Sequence, residues 1–160
     1  MKRENYLSWD SYFMGVAKLS SLRSKDPATQ VGACIVNEDK RIIGIGYNGL
    51  PFGLSDDEFS WAKEGDFVNT KYPYVVHAEA NAILNATTSL KNATIYVTLF
   101  PCNECMKLIV QSGIKEIVYV SNKDDGKEFN QASKKMMNSA QLKARQIQME
   151  TIILNDESSI

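Results

Sequence analysis

The chain has 160 residues, 44% hydrophobic and 23% charged, with 18 Lys and Arg against 19 Asp and Glu for a formal net charge of −1. This composition predicts a single domain, 1–160, with a core of its own; it excludes disordered, collagenous and low-complexity classes, and the near-neutral charge offers no footprint for nucleic acid. With no apolar run near the roughly 18 residues of a membrane span, and a polar start at Met1-Lys2-Arg3-Glu4-Asn5 in place of a signal peptide, a cytoplasmic protein without membrane contact is expected.

From Ser8 to about Leu22 the apolar residues Trp9, Phe13, Val16 and Ala17 recur at helical spacing, with Ser8 placed to cap and Asp10 in the first turn, which predicts an amphipathic helix. After the polar loop Arg23-Ser24-Lys25-Asp26-Pro27, the runs Val31–Val36 and Arg41–Tyr47 flank the turn Asn37-Glu38-Asp39-Lys40 and read as a β-hairpin. Residues 48–74 contain Gly49, Pro51, Gly53, Gly65 and Pro73 without a sustained period, a long loop holding one helical turn. Loops of that length usually carry function. The pattern then alternates: helix His77–Thr88, strand Thr94–Leu99, helix Cys102–Ser112 closed by Gly113, strand Glu116–Val120, helix Glu128–Asn138 and a terminal strand Ile147–Leu154. About five strands with helices on both faces predict an α/β fold of three α/β/α layers. Gly44-x-Gly46-x-x-Gly49 formally fits a dinucleotide fingerprint, but it lies within and after a strand and leads into Leu50-Pro51, not into a helix, so that reading is dismissed.

Three cysteines, an odd number, give no disulfide framework, and Cys102 and Cys105 lie three positions apart. In a reducing compartment that spacing points to metal or redox chemistry. Pro101-Cys102-Asn103-Glu104-Cys105 opens one predicted helix and His77-Ala78-Glu79 another, so the two motifs converge where neighbouring helix N-termini meet. His77, Cys102 and Cys105 then make a three-ligand set for a catalytic zinc, with the fourth tetrahedral position left to water. Cysteines in a first helical turn are stabilised as thiolates by exposed N–H groups and the helix dipole. Glu79, two residues after His77, is awkwardly placed to share the ion with it but well placed to take a proton from water whose pKa the metal lowers to roughly 7. Alone, the C-x-x-C pair also suits structural zinc or a thioredoxin-like redox pair; the redox reading leaves Glu79 and His77, the chain's single histidine, without work. Together, H-x-E and P-C-x-x-C make the signature of the zinc deaminases, with Zn2+ as cofactor. Cys34, inside an apolar strand, reads as ordinary core.

The segments H-A-E-A-N-A-I-L from His77, T-L-F-P-C-N-E-C from Thr98, R-S-K-D-P-A-T-Q-V-G-A-C-I-V from Arg23 and G-Y-N-G-L-P-F-G-L-S-D-D from Gly46 resemble the deoxycytidylate (dCMP) deaminases over most of residues 6–121. The zinc motif is common to the whole cytidine deaminase superfamily, whereas R-S-K-D-P and Y-N-G-x-P-x-G are typical of the dCMP branch. The resemblance implies a cytidine deaminase-like fold with a mixed sheet, a homo-hexamer, and hydrolysis of dCMP to dUMP and ammonia for thymidylate synthesis. It implies that Glu79 protonates N3 while C4 of cytosine is attacked and the amine leaves. It also implies that Asn48 meets the sugar and that Ser24, Lys25 and Thr29 wall the substrate site, where a monophosphate needs cationic or hydroxyl donors.

Activation by dCTP with Mg2+ and inhibition by dTTP are further implications of the resemblance. Residues 54–66 hold Asp56, Asp57, Glu58, Glu64 and Asp66 against Lys63, a local charge of −4, which is ordinarily a solvated loop. Beside the turn Asn48-Gly49-Leu50-Pro51-Phe52-Gly53, whose glycines let N–H groups approach phosphate, this stretch makes Asn48, Gly49, Gly53, Asp56 and Asp57 the candidate effector site. One departure stands out: Ser121-Asn122-Lys123-Asp124-Asp125-Gly126 lacks the tyrosine that many relatives carry there. A free (deoxy)cytidine deaminase or a tRNA adenosine deaminase would share the chemistry, but near-neutral charge and the R-S-K-D-P and Y-N-G-L-P segments favour a small nucleotide. A non-catalytic zinc module would have no use for Glu79.

Overall fold

The computed structural model describes residues 1–152 and 154. Along the chain run α1 (Trp9–Ser21), β1 (Gly32–Val36), β2 (Ile42–Tyr47), a 3-10 turn at Phe67–Asn69, α2 (Ala78–Leu84), β3 (Thr94–Leu99), α3 (Asn103–Ser112), β4 (Glu116–Ser121), α4 (Glu128–Ser139) and β5 (Lys143–Gln146). The strands form one sheet in the order β2-β1-β3-β4-β5. β1 pairs antiparallel with both β2 and β3, while β3–β4 and β4–β5 are parallel, each joined by a crossover helix. The mixed five-stranded α/β architecture is the one expected from the sequence.

Side-chain alternation along the central strands sorts the core into two layers. Ala33, Ile35, Ile95, Val97 and Ile117 face α2, α3 and α4 through Ala82, Met106, Ile109 and Met136. Cys34, Val36, Tyr96 and Val118 face α1 through Phe13, Met14 and Ala17. Burial pushes the Cys34 thiol up to about 12, in keeping with its expected place in the core. Helix α1 starts as predicted, with the Ser8 side chain accepting from the Ser11 N–H at 3.1 Å.

Two expectations shift. The last strand falls before the apolar run 147–154: β5 is polar and exposed, and its backbone pairing with β4 places it. Ile147 and Met149 instead lay their side chains over the α1 layer; Ile153 lies outside the described residues. Helix α2 stops at Leu84 rather than Thr88, where Asn85 takes the cap and its amide donates to Ile45 O at 2.9 Å. Among the described residues no helix is long and apolar enough to cross a membrane.

The approach of α2 to β2 sets the position of the site. A Cβ on Gly46 would lie 2.3 Å from Ala78 O, and one on Gly44 2.4 Å from Ala82 O, so only glycine lets helix and strand backbones touch here. The free edge of β2 is then bonded by the helix itself: Asn81 Nδ2 donates to Tyr47 O at 2.8 Å, one turn before Asn85 does the same at Ile45. The formal dinucleotide fingerprint is thus, in its first two glycines, a packing device.

Candidate active site

His77 and Cys102 are the N-cap residues of α2 and α3, and neither side chain makes a capping hydrogen bond. N-caps are ordinarily Ser, Thr, Asp or Asn, whose side chains turn back on the helix. Here the side chains turn toward one another. His77 Nδ1 lies 3.4 Å from both Cys102 Sγ and Cys105 Sγ, and one ligand atom from each residue fits within 4.8 Å of the other two. The convergence expected of the two motifs is therefore present. One imidazole nitrogen and two sulfurs at this spacing are the donor set of a zinc with an open fourth position.

The electrostatics agree. The hydrogen bond from the Cys105 thiol, with further help from His77 and the Cys105 backbone N–H, brings the Cys102 thiol down to about 4 despite its burial. Its neighbour moves the other way: the Cys102 sulfur and burial push Cys105 up. His77 is raised, chiefly by its bond to Cys102. Cys102 thus favours the thiolate, and a bound dication would favour it at both sulfurs. Glu79 is buried, 4% exposed, and lies 3.4 Å from Cys105 Sγ; burial pushes its carboxyl up, so it holds a proton more readily than a surface glutamate.

Above this cluster opens a cavity of about 390 Å³, walled by Asn48, Glu79, Val31, Phe100 and Phe129 among others. Asn48 is buried and ties β2 to the loop before β1: its Oδ1 accepts from Val31 N at 2.8 Å and its Nδ2 donates to Thr29 O at 2.9 Å. Thr29 lines the cavity. Ser24 and Lys25 do not. Ser24 Oγ accepts from Asp26 N at 3.3 Å, and Lys25 turns away to pair with Asp56.

That pair closes a second, smaller depression of about 210 Å³, which also gathers Arg23, Gly49, Gly53 and Trp61. Three of the five candidate effector residues, Gly49, Gly53 and Asp56, line it; Asn48 belongs to the larger cavity and Asp57 is exposed outside both. The acidic stretch accordingly meets a base through Asp56.

Four cavity-lining lysines, Lys63, Lys71, Lys123 and Lys127, escaped the sequence reading. Lys71 is buried against Asp26, whose other oxygen accepts from Ala28 N at 2.8 Å. No local pattern marks a lysine in an aperiodic loop as buried; only its distance of six residues from His77 hinted at it.

The family model for the cytidine and deoxycytidylate deaminase zinc-binding region matches residues 7–121. The chain is 58% identical over 124 residues to a deoxycytidylate deaminase of Pongo abelii, covering 76% of this chain and 70% of that one. It is 53% identical over 141 residues to that of Homo sapiens, covering 87% and 79%. Its fold superposes on the dCMP deaminase of the cyanophage S-TIM5, crystallised with dCMP and dUMP, with a TM-score of 0.70 at 25% identity over 85% of this chain and 94% of that one.

Proposed function

The chain belongs to the cytidine and deoxycytidylate deaminase family, and from that premise we propose that its single domain, 1–160, hydrolyses dCMP to dUMP and ammonia. The observation that carries this reading is the buried Glu79 beside the His77, Cys102 and Cys105 cluster, on the floor of a cavity of nucleotide size. His77, Cys102 and Cys105 would hold the zinc, which when bound would acidify a water to a pKa of roughly 7. Glu79 is the proton carrier: its carboxylate takes a proton from the attacking water, gives it to N3 of the cytosine, and serves the second transfer by which the C4 amine departs as ammonia. Asn48 keeps one Oδ1 lone pair beyond its bond to Val31, enough to accept from a sugar hydroxyl. Thr29 offers its hydroxyl to the phosphate side, while Val31, Phe100 and Phe129 keep water off the base.

Lys25 and Ser24, outside the cavity, are assigned to the loop that shapes it. The smaller depression around Arg23, Lys25, Gly49, Gly53 and Asp56 is our candidate for a dCTP effector with Mg2+, opposed by dTTP, within a homo-hexamer. A cytosolic location suits three cysteines that are all free thiols.

The deciding assay follows absorbance with dCMP, dCTP, deoxycytidine and a tRNA adenosine substrate in parallel. dCMP is expected to have much the largest kcat/KM. Equal values for dCMP and deoxycytidine would make this a nucleoside deaminase, preference for the tRNA an editing enzyme, and inactivity of the fully zinc-loaded protein a structural zinc module.

A further inference from the structure

Asp26 stands where three parts of the cavity wall meet. Its Oδ1 accepts from Ala28 N at 2.8 Å and from Thr29 N at 3.3 Å, which folds the loop before β1 around the carboxylate. Its Oδ2 accepts from Lys71 Nζ and, at 3.5 Å, from Asn48 Nδ2. Lys71 belongs to the segment that leads into His77: its carbonyl accepts from Tyr74 N at 3.1 Å and Val75 N at 3.0 Å, and Val76 then pairs with Gly49. One carboxylate thus ties the loop before β1, the end of β2 and the entry to α2. Asp26, Asn48 and Lys71 are all buried, and all three line the cavity.

A buried ion pair roughly breaks even against an apolar pair of the same shape, so stability by itself does not account for one in this wall. What the pair supplies is direction. The two ends of the Asn48 amide are nearly equal in size and opposite in hydrogen-bonding character. Toward Asp26 Oδ2 and Thr29 O the surroundings offer only acceptors, which requires the NH2 there; toward Val31 N they offer a donor, which requires Oδ1. The reversed amide would set oxygen against a carboxylate and a carbonyl. Lys71 keeps that requirement in force, because burial favours the protonated carboxyl and Lys71 opposes it. A protonated Asp26 donates as well as accepts, and no longer dictates which end of the amide faces it.

We propose that Asp26 and Lys71 are positioning residues that fix the Asn48 amide with its oxygen toward the substrate's sugar, so that the pair, acting through Asn48, sets selectivity for the 3′-hydroxyl. This rests on the dCMP reading above. In a deoxynucleoside 5′-monophosphate the 3′-hydroxyl is the one sugar hydroxyl left free to donate.

The test uses zinc-loaded wild type, Lys71→Met, Lys71→Arg, Asp26→Asn, Asn48→Ala and the Asp26→Asn/Asn48→Ala double variant, with folding checked by far-UV dichroism. Each is assayed with dCMP and with 2′,3′-dideoxycytidine 5′-monophosphate, which lacks only the 3′-hydroxyl, and titrated calorimetrically with dUMP and its 2′,3′-dideoxy analogue. Wild type is expected to prefer dCMP about tenfold in kcat/KM, the worth of one hydrogen bond whose partner is otherwise left unpaired. Lys71→Met and Asp26→Asn should lose most of that preference and Lys71→Arg should keep it. The double variant should be no less selective than Asn48→Ala alone. A merely structural role would slow both nucleotides alike and leave the ratio intact. A wild type indifferent to the 3′-hydroxyl, a ratio unchanged in Asp26→Asn, or losses that add to that of Asn48→Ala overturn the proposal. Asp26→Asn, which keeps the side-chain shape, decides alone should Lys71→Met not fold.

The titrations separate this from the parent reading. A wild type that does not deaminate dCMP, yet binds dUMP with a 3′-hydroxyl preference that Asp26→Asn abolishes, supports the pair and defeats the reaction. Deamination of dCMP with the preference intact in Asp26→Asn does the reverse. A wild type that neither binds dUMP nor deaminates dCMP defeats both.

Discussion

Lys71 and Asp26 form an ion pair almost removed from solvent, with side chains 9% and 3% exposed, in the wall of the catalytic cavity. Breaking a buried pair by removing one partner costs about 3–5 kcal/mol, because the survivor is left charged and undersolvated. Lys71→Met is therefore expected to lower unfolding free energy by about 3 kcal/mol, and Asp26→Asn combined with it to cost less than the sum of the two. Denaturant titration of the three variants measures this. The pair also has a pH signature. Burial pushes the Asp26 carboxyl up, but Lys71 and the N–H groups of Ala28 and Thr29 outweigh it and leave it below the ordinary 3.8. A lowered folded-state value means stability that is complete above 3.8 and lost as pH falls through the folded value. Acid titration of stability should show this loss below about pH 4 in wild type and a shallower one in Asp26→Asn.

The donor set predicts one zinc per folded chain. Metal analysis after dialysis should find close to one equivalent in wild type and well under half in Cys102→Ala, with a lower melting temperature because metal binding is coupled to folding. Full retention of zinc by Cys102→Ala would remove it from the ligand set.

Glu79→Gln keeps the shape and the hydrogen-bonding reach of the side chain but cannot carry a proton. Zinc content and far-UV dichroism should match wild type while kcat falls about a hundred- to ten-thousandfold. More than a tenth of wild-type turnover would mean that another group shuttles the proton.

Gly46→Ala tests the seat of α2. The added methyl would stand 2.3 Å from Ala78 O and 2.4 Å from Ala82 N, both backbone atoms, so the helix that carries His77 and Glu79 must shift. Overpacking of this kind costs about 1–3 kcal/mol. Activity should fall further than stability accounts for, measured as kcat at a temperature where the variant is fully folded.

Effector control is expected to appear as a sigmoidal dCMP curve that dCTP with Mg2+ makes hyperbolic and dTTP makes steeper, in a hexamer by light scattering. Three superimposable hyperbolas would show that the depression around Lys25 and Asp56 is no effector site. Lys25→Ala should blunt the dCTP response, since that side chain lines the smaller depression and not the catalytic cavity.

The H-x-E and C-x-x-C motifs at two helix starts, strand Thr94–Leu99 and the Gly113 helix stop were legible in the sequence because each depends on residues a few positions apart: a helix start, a short β-branched apolar run and a left-handed cap, here at φ 83°. The same local logic misplaced the last strand, since an apolar run says that side chains are covered but not by which element, and Ile147 and Met149 cover α1. What tertiary structure alone decided are the pairings between aperiodic loops. Lys71 finds Asp26 across 45 residues, Lys123 finds Thr29 across 94, and Lys25 finds Asp56 across 31. Loop conformation has no repeat from which such partners could be read, and a lysine's charge looks the same in sequence whether it ends buried, paired or facing a cavity. The sequence therefore determined which motifs open the two helices, and the folded chain determined which lysines end buried, paired or lining the cavity.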